Sequence, residues 1–347
     1  MQFWKKQARK RDAVIGFDLG SRQWKGVAVQ RTDRGLQLCH YVVAACPSGA
    51  GKTELLASCA ETVQQLFSQL KVSDRQANVA ISSPSALVAM IEMPRFAPEE
   101  LRTTISLNST RYLRRDLGNY YVDAVELGET TDGKARRSPT MQTLVAGAPK
   151  EEVLYFRNML AAAKIKADTI ELGAISVINA LQCSHREICE QHLVLLLDIG
   201  HQVTSLNFLR LGQPVLTRLM PFGGAQVTEQ IARELGVTPA DAEQQKHTMS
   251  AQMAGTAQDA LQTLAREVRS SIDFVERQYD CEIRHAFAGG GTACNPLIVA
   301  ALSQEVGLPI QRWNPLEGCN VSDVDAAALE AIAPCLGVAV GVAVAKL

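Results

Sequence analysis

Two apolar strands, half a chain apart, run into the same short pattern. Ala13-Val14-Ile15-Gly16-Phe17 leads into Asp18-Leu19-Gly20-Ser21, and Leu193-Val194-Leu195-Leu196-Leu197 leads into Asp198-Ile199-Gly200-His201. Asp-x-Gly at the end of a hydrophobic strand aims a carboxylate out of the sheet and leaves the backbone free to approach a ligand closely. Each copy is followed by a second strand, Lys25 to Arg31 in one case and Thr204 to Leu211 in the other. One such turn constrains little. Two point to similar halves gripping one polyphosphate between them.

The repeat extends past the turns. The first half reads as strands 13–18 and 25–31, a turn at Asp33-Arg34-Gly35, a strand 36–44, and a loop holding Pro47, Gly49 and Gly51. A helix follows from Thr53 to Leu70, with apolar residues at helical spacing, and then a strand from Asn78 to Ser82. The second half repeats this order: strands 193–198 and 204–211, Gly212, a strand 214–219, Gly223-Gly224 and a helix Thr228 to Leu235. A later strand, Ile283 to Ala288, enters Gly289-Gly290-Gly291. The aspartates lie 180 positions apart and the turn glycines Gly35 and Gly212 lie 177 apart, so the register of the halves agrees closely. A duplicated β-β-β-α-β unit has its natural ligand site in the cleft between the copies.

Two insertions break the symmetry. Residues 85–148 carry a turn at Pro94 and Pro98, a helix from Pro98 to Leu117, and strands near Tyr120 to Leu127 and Met141 to Gly147 around a polar loop from Thr130 to Pro139. Residues 240–279 read as almost purely helical. Helices Ala148 to Ala163 and Ala174 to Leu181 connect the halves. The expected organisation is a basic tail (1–12), a first lobe (13–84 and 149–191) with its inserted subdomain (85–148), and a second lobe (192–239 and 280–347) with a helical subdomain (240–279).

A net charge of -1, evenly mixed signs and 5% aromatic residues provide no field or stacking surface for nucleic acid. No uncharged apolar run reaches the roughly 18 residues of a membrane span, the longest candidate being Ala333 to Ala345. The N-terminus holds five basic residues beside Phe3 and Trp4 but lacks the apolar core of a signal peptide, which suggests a cytoplasmic chain. Nine scattered cysteines suit reduced core thiols. Cys183, His185, Cys189 and His192 are close in sequence, yet their spacing does not match common zinc patterns. Gly49-Ala50-Gly51-Lys52-Thr53 precedes a helix, but Cys46 stands where a P-loop needs its first glycine.

The chemistry therefore concentrates in three turns. Backbone amides after Asp18 form an anion nest, Ser21 adds a donor, and Lys25 returns an ammonium to the same phosphates. Asp18 would orient water on a magnesium ion rather than touch phosphate. Asp198-Ile199-Gly200-His201-Gln202-Val203-Thr204 mirrors this clamp, and Gly289-Gly290-Gly291-Thr292 offers bare backbone to a purine or a phosphate.

In this order the turns resemble the phosphate 1, phosphate 2 and adenosine motifs of the actin, heat-shock chaperone and sugar-kinase superfamily. The chain is similar to the PilM family of type IV pilus assembly proteins, relatives of the division protein FtsA. The similarity rests on Asp18 to Lys25, Leu197-Asp198-Ile199-Gly200 with Thr204-Ser205-Leu206, Met220-Pro221-Phe222-Gly223-Gly224 with Thr228, Asp241-Ala242-Glu243 with Lys246, Glu267 to Phe274, Ala288 to Gly291, Asn314-Pro315, and the closing helix Leu336 to Gly341. It implies an α/β, duplicated actin/RNase H-like fold whose two lobes flank a nucleotide cleft. It also implies an ATP- and magnesium-binding scaffold peripheral to the inner membrane, serving a type IV or related MSHA-type pilus. Such a scaffold captures the cytoplasmic tail of a bitopic PilN-like protein in a groove beside the inserted subdomain, and connects to other pilus motor components.

By the same resemblance, Gly20, Ser21, Lys25, Gly200, His201, Gln202, Thr204 and Gly224 would surround the phosphates, with Asp18 and Asp198 near the metal. Glu243 and Lys246 would approach ribose or base, and Gly289, Gly290, Gly291 and Thr292 the adenosine. His201 and Gln202 replace the small residues common in actins and would crowd the γ-phosphate. Glu171 is a candidate for positioning a catalytic water, or else caps the following helix. Hydrolysis is expected to be weak or absent. A sugar-type kinase lacks its general base here, and an FtsA-like filament protein would carry a C-terminal membrane helix.

Overall fold

The computed structural model describes residues 13–47, 52–128, 140–248, 254–321 and 325–347. The basic tail, Gly49 and Gly51, and the loop Thr130 to Pro139 lie outside the described residues.

The chain opens with β1 (Val14–Leu19), β2 (Gln23–Thr32) and β3 (Gly35–Ala45), followed by α1 (Lys52–Gln69) and β4 (Gln76–Ile81). The insertion begins with β5 (Leu87–Pro94), continues through α2 (Pro98–Leu107), α3 (Ser109–Leu113) and β6 (Tyr120–Glu126), and ends with β7 (Thr140–Pro149). Next come α4 (Lys150–Ala162), β8 (Lys166–Leu172), α5 (Gly173–Ser184) and α6 (Arg186–Gln191). The second half holds β9 (Leu193–Ile199), β10 (Thr204–Arg210), β11 (Gln213–Met220), α7 (Gly224–Leu235), α8 (Pro239–His247), α9 (Ala254–Tyr279) and β12 (Ile283–Gly289). It closes with α10 (Pro296–Val306), β13 (Gln311–Arg312), β14 (Asn320–Val321), α11 (Ala326–Ile332) and α12 (Gly337–Val344).

The duplication is visible in the sheets. One has the order β14-β3-β2-β1-β4-β8 and another β11-β10-β9-β12-β13. In both, the first three strands in sequence pair antiparallel and the remaining pairings onto the first strand and beyond are parallel. β1 and β9 are therefore equivalent central strands, buried on both faces, which is why each reads as an apolar run rather than an alternation.

Three strands or helices depart from the sequence reading. β5 was not expected as a strand, only its last residue, Pro94, being read as part of a turn; it pairs with β7 along its whole length and completes the sheet β5-β7-β6. β8 was not expected as a strand, and it places Glu171 inside a sheet. The helix expected from Pro98 to Leu117 divides at Asn108, whose side-chain amide donates to Thr104 O at 2.9 Å and competes with the helical backbone.

Among the described residues the apolar side chains form four clusters. One fills the first lobe, one the second, and a small one the insertion. The fourth is shared: Val14, Val27 and Val177 meet Val194, Leu196, Phe287 and the residues of α12. The segment Ala326–Val344 has the length and apolarity of a membrane span, but a 3-10 turn interrupts it and most of it is buried in this shared core.

Backbones meet directly at this junction. A Cβ on Gly341 of α12 would lie 1.7 Å from Ser176 O of α5, and one on Gly16 of β1 would lie 2.2 Å from Ala339 O. Gly341→Ala is therefore expected to lower stability by at least about 2 kcal/mol, within the usual cost of overpacking a core. Gly255→Ala, in α9 with open space around the position, should change it by no more than about 1 kcal/mol and in the stabilising direction. Urea denaturation of the two variants beside the parent checks both.

Candidate functional site

A cleft opens where β1 and β9 end. Its walls include Asp18, Gly20, Ser21, Arg22, Gln23 and Lys25 from the first lobe, and Asp198, Gly200, His201, Gln202 and Ser205 from the second. Glu243, Lys246 and His247 close one side, and Gly290, Gly291 and Thr292 lie at its floor with Cys335 and Val338. The enclosed space is about 90 Å³, against roughly 300–1,000 Å³ for a typical ligand pocket, so the cleft is narrow in this arrangement.

Asp18 and Lys25 face each other across β1 and β2, and Lys25 Nζ donates to Asp18 Oδ2 at 2.9 Å. Burial alone would lower the lysine pKa, but the Asp18 carboxylate beside it raises it overall and keeps the ammonium charged. The other oxygen, Asp18 Oδ1, is buried without a hydrogen-bond partner. Asp198 is pushed up to about 7 by burial and by repulsion from Asp18, which Lys25 offsets only in part. An orphaned carboxylate oxygen next to a carboxyl that resists ionisation is a site short of positive charge. Two carboxylates fit a magnesium ion that keeps waters and phosphate oxygens as its other ligands, rather than a cage built by protein alone. Asp18 and Asp198 would hold it.

The second lobe knits its turns to one another. Gly224 N and Ala225 N, at the start of α7, donate to Gly200 O and His201 O at 2.8 Å each, and the Thr292 hydroxyl donates to Gly200 O at 3.0 Å. Lys246 Nζ contacts Glu243 Oε2 at 2.7 Å, Thr228 Oγ1 at 2.9 Å and Gly224 O at 3.1 Å, which uses all three of its donors. Burial opposes ionisation of Glu243, but bonds from His247, Lys246 and Thr228 hold its carboxyl below the usual range. Arg22 Nε reaches Glu243 Oε1 at 3.9 Å from the opposite lobe. Burial lowers the His201 pKa, so the ring stays neutral at pH 7.

Four residues expected at the site are elsewhere or serve another purpose. Thr204 is fully buried and its hydroxyl donates to Phe222 O at 2.8 Å, outside the cleft wall. Gly224 is also outside the lining, with its carbonyl bound by Lys246. Gly289 packs on Trp313, where a Cβ would come within 2.8 Å of the ring. Glu171 lines a second cavity beside the insertion and accepts from Ser176 Oγ at 2.8 Å; burial raises its pKa. It neither faces the cleft nor caps α5 through the backbone. Gly290 has a structural reason of its own: its φ is 88°, and a Cβ would sit 2.4 Å from Ile199 O.

Ser205 was missed, although the signal existed. It pairs with Asp198 across β9 and β10 as Lys25 pairs with Asp18, seven positions after the aspartate in each case. Elsewhere, His185 Nε2 lies 3.3 Å from Glu317 and the His192 ring 5.1 Å from that of His285, so the cysteine–histidine group is dispersed over separate contacts.

A family model described as type IV pilus assembly protein PilM matches residues 16–347. A solved PilM-PilN type IV pilus biogenesis complex shares 22% sequence identity, with 96% of this chain and 98% of that chain covered and a TM-score of 0.84. The ethanolamine utilization protein EutJ from Carboxydothermus hydrogenoformans shares 14%, with coverage of 96% and 89% and a TM-score of 0.57. At these identities the likeness is one of fold, the two-lobed actin-like architecture.

The raised pKa of Asp198 has a sign that can be checked. Its ordinary value is 3.8. A carboxyl that ionises later in the folded than in the unfolded chain costs no stability below about pH 4, costs progressively more as pH rises to about 7, and costs a constant amount above that. Asp198→Asn should therefore stabilise the ligand-free protein at pH 8, by at most about 4 kcal/mol, and the gain should vanish near pH 4. Denaturation midpoints across that range measure it.

Proposed function

The chain belongs to the type IV pilus assembly protein PilM family, and on that footing we propose that it is an ATP-binding actin-like scaffold that docks the cytoplasmic tail of a PilN-like inner-membrane protein. The observation that carries the nucleotide half is the pair of Asp-x-Gly turns converging on one cleft, with Asp18 Oδ1 unsatisfied and Asp198 short of a cation. Magnesium supplies that charge when bound. Lys25, Ser21 and the amides after Asp18 take phosphates from one lobe; Gly200, Gln202 and Ser205 take them from the other. Gly290, Gly291 and Thr292 support the adenosine.

Turnover is slow in this reading. The acidic residues at the cleft wall are Asp18, Asp198 and Glu243. Asp18 is paired with Lys25 and Glu243 with Lys246, while Asp198 is assigned to the metal. No further carboxylate among the described residues of the wall remains to position an attacking water. ATP then acts as a clamp that adds its binding free energy to the closed state.

The partner half rests on the insertion. β6 is an edge strand of its sheet, and with β8 it borders a cavity of about 460 Å³. Tyr121 and Val125 of β6 are 48% and 53% exposed, and both line this cavity. An open strand edge with apolar side chains beside a cavity suits an extended peptide that adds to the sheet and buries alternate side chains. The relative solved as a PilM-PilN type IV pilus biogenesis complex holds PilN by its own description. A chain of this kind would sit at the cytoplasmic face of the inner membrane.

Two outcomes test the halves separately. By calorimetry, MgATP should bind the parent chain and Lys52→Ala alike, and bind Lys25→Ala at least about tenfold more weakly; steady-state hydrolysis should stay below about 1 per second, the low end of ordinary turnover. Loss of binding in Lys52→Ala with Lys25→Ala unaffected would transfer the phosphates to the other loop. In a pull-down with the N-terminal tail of a PilN-like protein, Val125→Asp should abolish capture and leave MgATP binding intact. A tail that ignores this substitution docks elsewhere.

A further inference from the structure

Two cysteines meet at the cleft floor, on the margin of the core shared by the two lobes. Cys294 ends the 3-10 turn Gly291–Cys294 after β12, and Cys335 lies in the 3-10 turn Ala333–Leu336 before α12. The two turns pack against each other, and Gly290 N donates to Pro334 O at 2.8 Å. Cys294 Sγ lies 3.9 Å from Gly290 O and 4.0 Å from Ile332 O, so its sulfur reaches the chain that enters the second turn. The thiols are close enough to shift each other's ionisation, and Cys335 also lines the cleft.

Their surroundings make them unequal. The neighbouring Cys335 thiol holds the Cys294 thiol below the ordinary cysteine range against its burial, helped by the charges of Lys25 and Arg312. Arg312 Nη1 donates to Cys294 O at 3.4 Å. The same proximity, together with burial, pushes Cys335 up. An acidified thiol beside one that keeps its proton divides the work of oxidation: the first attacks and the second resolves. Cys46, Cys183, Cys189 and Cys319 are instead all raised by burial.

We propose that Cys294 and Cys335 are a redox-active dithiol that a hydroperoxide closes to a disulfide, fixing the floor of the cleft. The Cys294 thiolate attacks a peroxide oxygen, the O–O bond breaks, and the departing hydroxide takes a proton to become water, leaving a sulfenic acid. The Cys335 sulfur then attacks Cys294 Sγ, the S–O bond breaks, and a second water leaves with the Cys335 proton. Two thiols are oxidised, one hydrogen peroxide is reduced, and one disulfide forms. Its bond of about 2.05 Å ties the loop carrying Gly290, Gly291 and Thr292 to the entry of α12. The consequence for nucleotide rests on the proposed ATP reading; the disulfide itself does not.

The test treats the full chain with stoichiometric hydrogen peroxide, blocks remaining thiols, and maps peptides by mass spectrometry without reduction. A peptide linking Cys294 to Cys335 is expected, absent from Cys294→Ser, whose folding is verified by circular dichroism. MgATP affinity should fall by about tenfold on oxidation, an ordinary size for coupling within one protein, return with dithiothreitol, and not respond in Cys294→Ser. Intact thiols, over-oxidised cysteines or links to other cysteines overturn the proposal. A link that leaves MgATP affinity unchanged overturns the fixing of the floor. A reduced chain that binds no MgATP, yet forms the link, refutes the nucleotide reading and upholds the dithiol.

Discussion

The cleft depends on a seam where three backbones touch without side chains between them. α12 lies against α5 through Gly341 and against β1 through Gly16, at separations that leave no space for a Cβ. Because the residues of α12 belong to the core shared by both lobes, this seam determines how closely the lobes' central strands approach. The approach is close enough for Asp18 and Asp198 to repel each other at the ends of those strands. The electrostatics of the site thus follow from a packing constraint set by uncharged backbone, two residues before Asp18 on β1. The segment that feeds α12 contributes Cys335 to the cleft wall, and α12 itself contributes Val338.

Duplication supplies two equivalent frames but not two equivalent sites. Lys25 and Ser205 occupy the same register position, so the first lobe brings a buried cation to the cleft and the second only a hydroxyl. The second lobe has its cation in Lys246, delivered by the helical insertion and fully engaged by Glu243, Thr228 and Gly224 O. Its α7 amides Gly224 N and Ala225 N are engaged by the carbonyls of Gly200 and His201. The first lobe therefore brings a cation held by a single carboxylate, Asp18, and the second offers a rigid wall braced from behind.

Much of this was legible in the sequence because it follows from hydrophobic pattern and turn chemistry. The apolar runs of β1 and β9, the glycines between strands and the amphipathic spacing of α1 and α9 each mark one local conformation. What escaped depends on tertiary partners. β5 and β8 carry mixed burial patterns with no clean alternation, so only their neighbours identify them as strands. Glu171 looked like a catalytic group while its strand was unrecognised; the register of β8 turns it into the neighbouring cavity beside the insertion. Thr204 and Gly289 matched motifs whose functional and packing reasons coincide in sequence, and here Phe222 O and Trp313 account for them. The cysteine pair spans 41 positions and could not be read from spacing at all.

The placement of Glu171 also shows how close the two cavities are. Ile81 and Leu172, the last residues of adjacent parallel strands, line the cleft and the cavity beside β6 alike. The insertion is held to the second lobe as well, through β5 against β11 and through Gly128 N donating to Gln213 Oε1 at 3.2 Å. A ligand that parts the lobes must move one of these attachments or shift the shared wall. Packed interiors do not deform continuously, so such a shift reaches the second cavity as a discrete rearrangement. On the proposed reading, nucleotide in one cavity and a partner tail in the other would each alter the affinity of the counterpart by the same factor, as linkage between two sites on one molecule requires.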